Sequence, residues 1–267
     1  MLSAFRSWRR RRLLRRHAIA DSAWRAALAH CTLAAGLDAA RRERLRELTT
    51  LFLATKRFHG AAGLEVDAGA ALAIAIQAAV PILGLGIDWY RGWTSVIVYP
   101  GTFVARREES DADGVVHRTR HALSGEAWDR GPLVLSWEDA RPHAHPYGPA
   151  GNVVIHECAH KLDMLDGAAN GHPPLHPGMD ARAWSTTLAR AYEALEAQLA
   201  AGAPTSLDPY GAESPAEFFA VASEAFFAAP VALRESQPEL YGQLRLFYRQ
   251  DPAGPPARRT RAEEDGR

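Results

Sequence analysis

A chain of 267 residues, 47% of them hydrophobic, can bury a core large enough to fold without disulfides or a partner, and its 31 basic residues balance 31 acidic ones to a formal charge of zero. That balance excludes a whole-molecule attraction to nucleic acid or anionic membranes, so partners must be argued from local features. Two cysteines, Cys31 and Cys158, are too few for a disulfide framework and fit a reducing compartment, which makes the cytoplasm the expected location.

At the start of the chain Arg6, Arg9, Arg10, Arg11, Arg12, Arg15 and Arg16 are threaded through Trp8, Leu13 and Leu14. A secretory signal needs an uninterrupted apolar run after a short basic start, so no export signal is expected; the pattern reads as an amphipathic helix with a solvated arginine face. From Asp21 to Ala35 and from Asp38 to Lys56 apolar residues such as Leu45, Leu48, Leu51 and Phe52 recur at helical spacing. The stretch from Ala68 to Ile87 is apolar but Ala-rich and interrupted by Gln77, Pro81, Gly84 and Gly86, which predicts a buried helix followed by a loop rather than a membrane span.

Between Trp93 and Ala105 the sequence TSVIVYPGTFVA is β-branched and aromatic, as expected of a strand pair or a strand and turn, and GPLVLSWEDA (Gly131 to Ala140) predicts another strand. A loop rich in Pro, Gly and His follows, and a helix is expected from Asn152. Further helices are expected over Ala181 to Ala201, Pro215 to Ala228 and Pro238 to Gln250, with a disordered tail from Asp251. The expected organisation is one domain over residues 1–250, with a helical part to about residue 90, a catalytic core over about 91–250 and a tail over 251–267.

The segment NVVIHECAHKLD carries the chemistry. His156 and His160, four residues apart on a helix, share a face and can grip one ion, while Glu157 projects beside the metal, where a carboxylate can take a proton from zinc-bound water. The three-histidine metzincin pattern is excluded, because its glycine and third histidine would fall on Asp163 and Asp166. A third ligand can come from Glu217 or Glu224, seven residues apart on an otherwise apolar helix, with the other carboxylate free to hydrogen-bond a ligand imidazole; spacing does not choose between them. Asp163 is a weaker candidate. Tyr210, in the loop before that helix, could donate to the oxyanion formed when water attacks a peptide carbonyl. His143 and His145 read as pocket-rim or surface residues, and Cys158 as a small core hydrophobe.

Several blocks in one order, WRRRRLLRRHAI, LGLGIDWYRGWTSVIVYPGTFV, GNVVIHECAHKLDMLDG and DPYGAESPAEFFAVASEAFF, give the chain a resemblance over nearly its whole length to the Mlc titration factor A family of bacterial zinc peptidases. The resemblance implies an α+β fold: a zincin-like core with a small mixed sheet, the HExxH helix and additional N-terminal helices, related in architecture to the catalytic part of anthrax lethal factor. It implies a monomeric cytoplasmic aminopeptidase with one Zn2+ per chain, held by His156, His160 and Glu217, with Glu157 catalytic and Tyr210 at the family's active-site tyrosine. A peptide substrate and a Mlc-like transcriptional repressor of sugar uptake are the implied partners, with no direct nucleic-acid contact and no membrane span. A rival expectation is a repressor-binding protein that uses the zinc fold as a scaffold.

Overall fold

The computed structural model describes residues 2–110, 116–123, 125–127, 131–142 and 151–254. The expected His143–His145 pair and residues 255–267 of the tail expected from Asp251 lie outside them.

The N-terminal third is helical, as its periodicity requires. Helix α1 (Leu2–Arg16) is tied to α3 (Ala39–Thr55) by an ion pair from Arg10 to Glu47 at 3.3 Å. Between them, α2 (Asp21–Ala29) ends earlier than the spacing suggests, and a single 3-10 turn, Thr32–Ala34, completes the stretch. Asp38 caps α3 by accepting from the Arg41 N–H at 2.8 Å, which satisfies one of the unpaired amides of the first turn. Asp67 does the same for α4 (Ala68–Ala79), accepting from Ala70 N–H at 2.7 Å. Helix α4 stops just before Pro81, and no single helix among the described residues is long and apolar enough to cross a membrane.

Strand β1 (Arg57–Gly60), which no sequence signal announced, starts a four-stranded sheet with β2 (Ser95–Tyr99), β6 (Leu133–Ser136) and β5 (Gly125–Ala127), in the order β1-β2-β6-β5. β1, β2 and β6 run parallel, with Val96 opposite Leu133 and Val98 opposite Leu135, all four fully buried; β5 is antiparallel to β6. Of the strand pair or strand and turn expected after Trp93, two strands form but do not pair with each other: β2 and β3 (Phe103–Ser110) belong to different sheets, β3 pairing antiparallel with β4 (Val116–Leu123). Parallel neighbours need a crossover, so β2 pairs with β1 and β6 across intervening chain, a partner choice that local sequence does not encode. The strand expected over Gly131 to Ala140 is only four residues long and turns into the short helix α5 (Trp137–Ala140).

After α6 (Val153–Asp163) come α7 (Ala181–Ala200), α8 (Pro215–Ala228), α9 (Pro230–Ser236) and α10 (Pro238–Tyr248). The expected last helix is thus preceded by a separate short one, each starting with proline at its first position, where the missing N–H costs nothing. Phe219, Phe226, Phe247, Tyr248 and Trp184 pack edge-to-face or stacked between α7, α8 and α10, and one hydrophobic cluster runs from Trp24 to Tyr248. Residues up to Gly254 are held on this body: the Gln250 amide donates to Val80 O at 2.9 Å and Arg234 to Gly254 O at 2.6 Å.

Lys56, the C-cap of α3, is 6% exposed and donates from Nζ to the carbonyls of Tyr90 and Trp93, both at 2.6 Å, while lying 3.5 Å from the Trp93 ring centroid. Burial pulls its ammonium down to about 7; Cys158 opposes the fall and Lys161 adds to it. The unfolded chain then holds up to one more proton than the native state between about pH 7 and the ordinary lysine value of 10.5, so this group makes stability rise with pH across that window. Above pH 9 the half-buried Cys31 thiol, pushed up to about 11, and the buried Cys158 thiol, pushed up to about 12, act the other way, because the unfolded chain loses those protons first. Urea unfolding between about pH 7 and pH 8.5 should show wild type gaining on Lys56→Met by up to about 1.4 kcal/mol per pH unit. A constant difference would mean that the two carbonyls keep Lys56 charged throughout.

Candidate metal centre

Helix α6 begins where Asn152 accepts from the Ile155 N–H on its side-chain oxygen at 2.9 Å. Every one of its eleven residues is buried: the apolar Val153, Val154, Ile155, Cys158, Ala159 and Leu162, and the polar His156, Glu157, His160, Lys161 and Asp163. Packing against it, α8 is apolar almost all round, with Glu217, Ser223 and Glu224 as its polar members. Ser214 caps α8 by accepting from the Glu217 N–H at 3.2 Å.

This pairing brings His156, His160 and Glu217 together. Glu217 Oε2 lies 3.0 Å from His156 Nε2 and 3.2 Å from His160 Nε2, and the two nitrogens are 3.2 Å apart. The three form a group able to hold a metal ion. An ion bound tetrahedrally at about 2.0–2.1 Å needs ligand atoms about 3.3 Å apart, so this nearly equilateral triangle of two imidazole nitrogens and one carboxylate oxygen fits such an ion and leaves a fourth position free. Burial would raise the Glu217 carboxyl, but the two imidazoles hold it well below the usual carboxylate range. Burial likewise depresses His156, yet its contacts with Glu217 and Glu224 carry it well above the usual imidazole value.

Glu224 is not in the triangle. It sits behind His156, whose Nδ1–H donates to Glu224 Oε1 at 2.6 Å, which leaves Nε2 turned towards His160 and Glu217. A carboxylate in that place fixes the tautomer and orientation of an imidazole that ligates through its other nitrogen. The charge of Glu157, which is 3% exposed, acts on both His156 and Cys158. Tyr210, in a 3-10 turn (Pro209–Ala212) packed on α8, has its ring centroid 5.9 Å from that of His156.

Asp163 stays outside the group. Its Oδ2 accepts from the amides of Asn170 at 2.8 Å and Gly171 at 2.7 Å and so folds the loop after α6 back on the helix. Gly171 has φ +78°, and a Cβ there would lie 2.5 Å from the Pro215 carbonyl, so only glycine lets this loop meet the start of α8. Cys158 faces the core with its thiol pushed up to about 12 by burial, which removes it as a nucleophile. Asn152 and Gln77, which hydrogen-bond each other at 2.8 Å, were not singled out from sequence as parts of the site. An asparagine just before an apolar helical run is a capping signal and could have marked the first of them.

A family model described as glucose-regulated metallo-peptidase M90 matches residues 5–249. A Cronobacter sakazakii protein named Mlc titration factor A is 38% identical over 237 residues, 88% of each chain. Proteins of the same name from Salmonella typhi and Salmonella arizonae are each 39% identical, over 87% and 88% of this chain and 88% and 93% of their own.

Proposed function

The chain belongs to the glucose-regulated metallo-peptidase M90 family, and from that premise we propose that it is a zinc-dependent aminopeptidase whose metal is held by His156, His160 and Glu217. The observation that carries this reading is the triangle of donor atoms with edges of 3.0 to 3.2 Å, drawn from two different helices. A small sheet lies beside the ligand helix, which supports a zincin-like core, and the continuous hydrophobic cluster supports a single peptidase domain over residues 1–250. Both cysteines are free thiols, in keeping with a cytoplasmic protein, and we take it to act as a monomer.

When bound, zinc acts as a Lewis acid that acidifies water and polarises the scissile carbonyl. Glu157, adjacent to His156 on the same helix, takes the proton from the attacking water on its carboxylate and returns it to the leaving amine. Glu224 keeps His156 in the tautomer with Nδ1 protonated, so that Nε2 is presented as a donor. The Tyr210 hydroxyl donates to the oxyanion as it forms. Tyr210→Phe should lower kcat by about a hundredfold with metal content and KM little changed, as read from steady-state kinetics. An unchanged kcat would remove Tyr210 from the mechanism.

Elemental analysis of protein purified without chelators, beside hydrolysis of fluorogenic peptides with free and blocked N-termini, tests the reading. About one zinc per chain with cleavage confined to free N-termini supports it; a chain that takes no zinc would sink it. The name carried by the relatives favours a second activity on the same fold, the capture of a Mlc-like transcriptional repressor. A pull-down with such a repressor from the same host reports on it separately.

A further inference from the structure

Resting on the reading of His156 as a metal ligand, we propose that Gln77 is a positioning residue for its imidazole, acting from α4 through Asn152 and Glu224. Helix α4 has the sequence AGAALAIAIQAA, so the Gln77 amide is the one polar side chain of an alanine-rich helix, and it is 9% exposed. A buried amide must place two donors and an acceptor. Gln77 Nε2 donates to Ala140 O at 2.8 Å and to Ala73 O at 3.2 Å; both partners are carbonyls, which only accept, so the orientation of the amide is settled by its neighbours. Its Oε1 then faces Asn152 and accepts from Nδ2 at 2.8 Å.

That bond fixes Asn152 in turn. With Nδ2 committed to Gln77, the Asn152 side-chain oxygen is the atom that meets the Ile155 N–H and caps α6, while the Asn152 backbone N–H donates to Glu224 Oε2. The other oxygen of Glu224 accepts from His156 Nδ1. Both oxygens of Glu224 are therefore aligned by α6, one by its N-cap and one by the imidazole four residues on, and the cap is set by Gln77. The chain of bonds ends on a ligand nitrogen's own ring rather than in solvent.

Two further observations make the alignment matter. His160 Nδ1 is buried and has no hydrogen-bond partner among the described residues, so His156 is the one of the two imidazoles held from behind. A cavity of about 60 Å³ among the described residues borders both Gln77 and Asn152, so hydrogen bonds, their mutual one among them, hold these amides on a side where packing is incomplete.

The test uses the full chain, stripped of metal and titrated with zinc against a chromophoric chelator, as wild type, Gln77→Met, Asn152→Ser and the double variant. Methionine keeps the volume of Gln77 without its polar atoms, and serine keeps the helix cap but cannot reach Gln77. Each single variant should weaken zinc binding by about three- to tenfold, less than the 10–100-fold typical of a direct partner of the ligand, and the double variant should be no weaker than the worse single one, because both break the same link. The visible spectrum of the cobalt(II)-loaded Gln77→Met protein should differ from wild type, which a loss of stability alone would not produce. Thermal unfolding of the metal-free forms separates the two effects. Zinc affinity within twofold of wild type with an unchanged cobalt spectrum in both single variants would overturn the role of Gln77 while leaving the ligand set intact, and so would additive losses in the double variant. Wild-type protein that takes no zinc would overturn the ligand reading itself.

Discussion

Glu157→Gln is expected to bind metal as the wild type does and to hydrolyse peptides on the order of a thousandfold more slowly, the range lost when a positioned general base is removed. The substitution conserves volume, which matters because Glu157 is 3% exposed inside a helix with no solvent face. It removes the carboxylate proposed to accept the proton and leaves the three converging residues, His156, His160 and Glu217, in place. Metal content and kcat measured on one preparation check both halves of the expectation. A zinc-loaded Glu157→Gln protein with full activity would show that the proton goes elsewhere. The same variant separates the two proposed activities: capture of a repressor should survive it, whereas a function that depends on cleavage should not.

The second large effect is expected at Glu217. Glu217→Ala removes the one oxygen donor of the triangle and leaves two imidazoles, too few to retain an ion through dialysis, so metal content should drop from about one per chain to near zero and activity with it. His156→Ala should behave alike. Glu224→Ala should differ in kind, because its carboxylate reaches the triangle only through Nδ1 of His156, its other oxygen accepting from the Asn152 N–H: metal is still taken up, with affinity lower by about 10–100-fold. Elemental analysis before and after dialysis distinguishes these outcomes. Loss of metal in Glu224→Ala together with retention in Glu217→Ala would reverse the assignment of the two carboxylates.

The contrast between Glu217 and Glu224 also shows where the sequence stops being legible. Both lie on an apolar helix, and the order Ser214-Pro215-Ala216-Glu217 is also a capping-box pattern, in which the glutamate turns back to its own helix terminus. Ser214 does cap the helix, yet Glu217 Oε2 is turned towards two imidazoles of another helix. That choice depends on how α6 and α8 pack, a relation between residues about sixty positions apart. By contrast the approach of His156 to His160 was readable because it is internal to one helix, about one turn apart. Helices α3 and α8 followed their periodicity closely and α2 stopped short of it, while β1 and the separation of β2 from β3 escaped, since a four-residue strand has no period of its own and a parallel partner is chosen across long stretches of chain. Gln77 read as an interruption of an apolar run; its meaning lies in its contact with Asn152, 75 residues away.

That α6 buries all eleven of its residues bears on the lifetime of anything bound to it. Helices usually loosen from their ends, where turns exposed to water open with little cost, and a ligand held on such a turn comes and goes with the fraying. Here both ends are fastened, the first by Asn152 and the last by the loop that Asp163 draws in, so releasing either imidazole by local opening means breaching the core. An ion seated on His156 and His160 would exchange slowly, on the clock of the molecule's larger openings. Such a centre is suited to permanent tenancy rather than to sensing changes in metal supply, and control over the enzyme would then be exerted on access to the site.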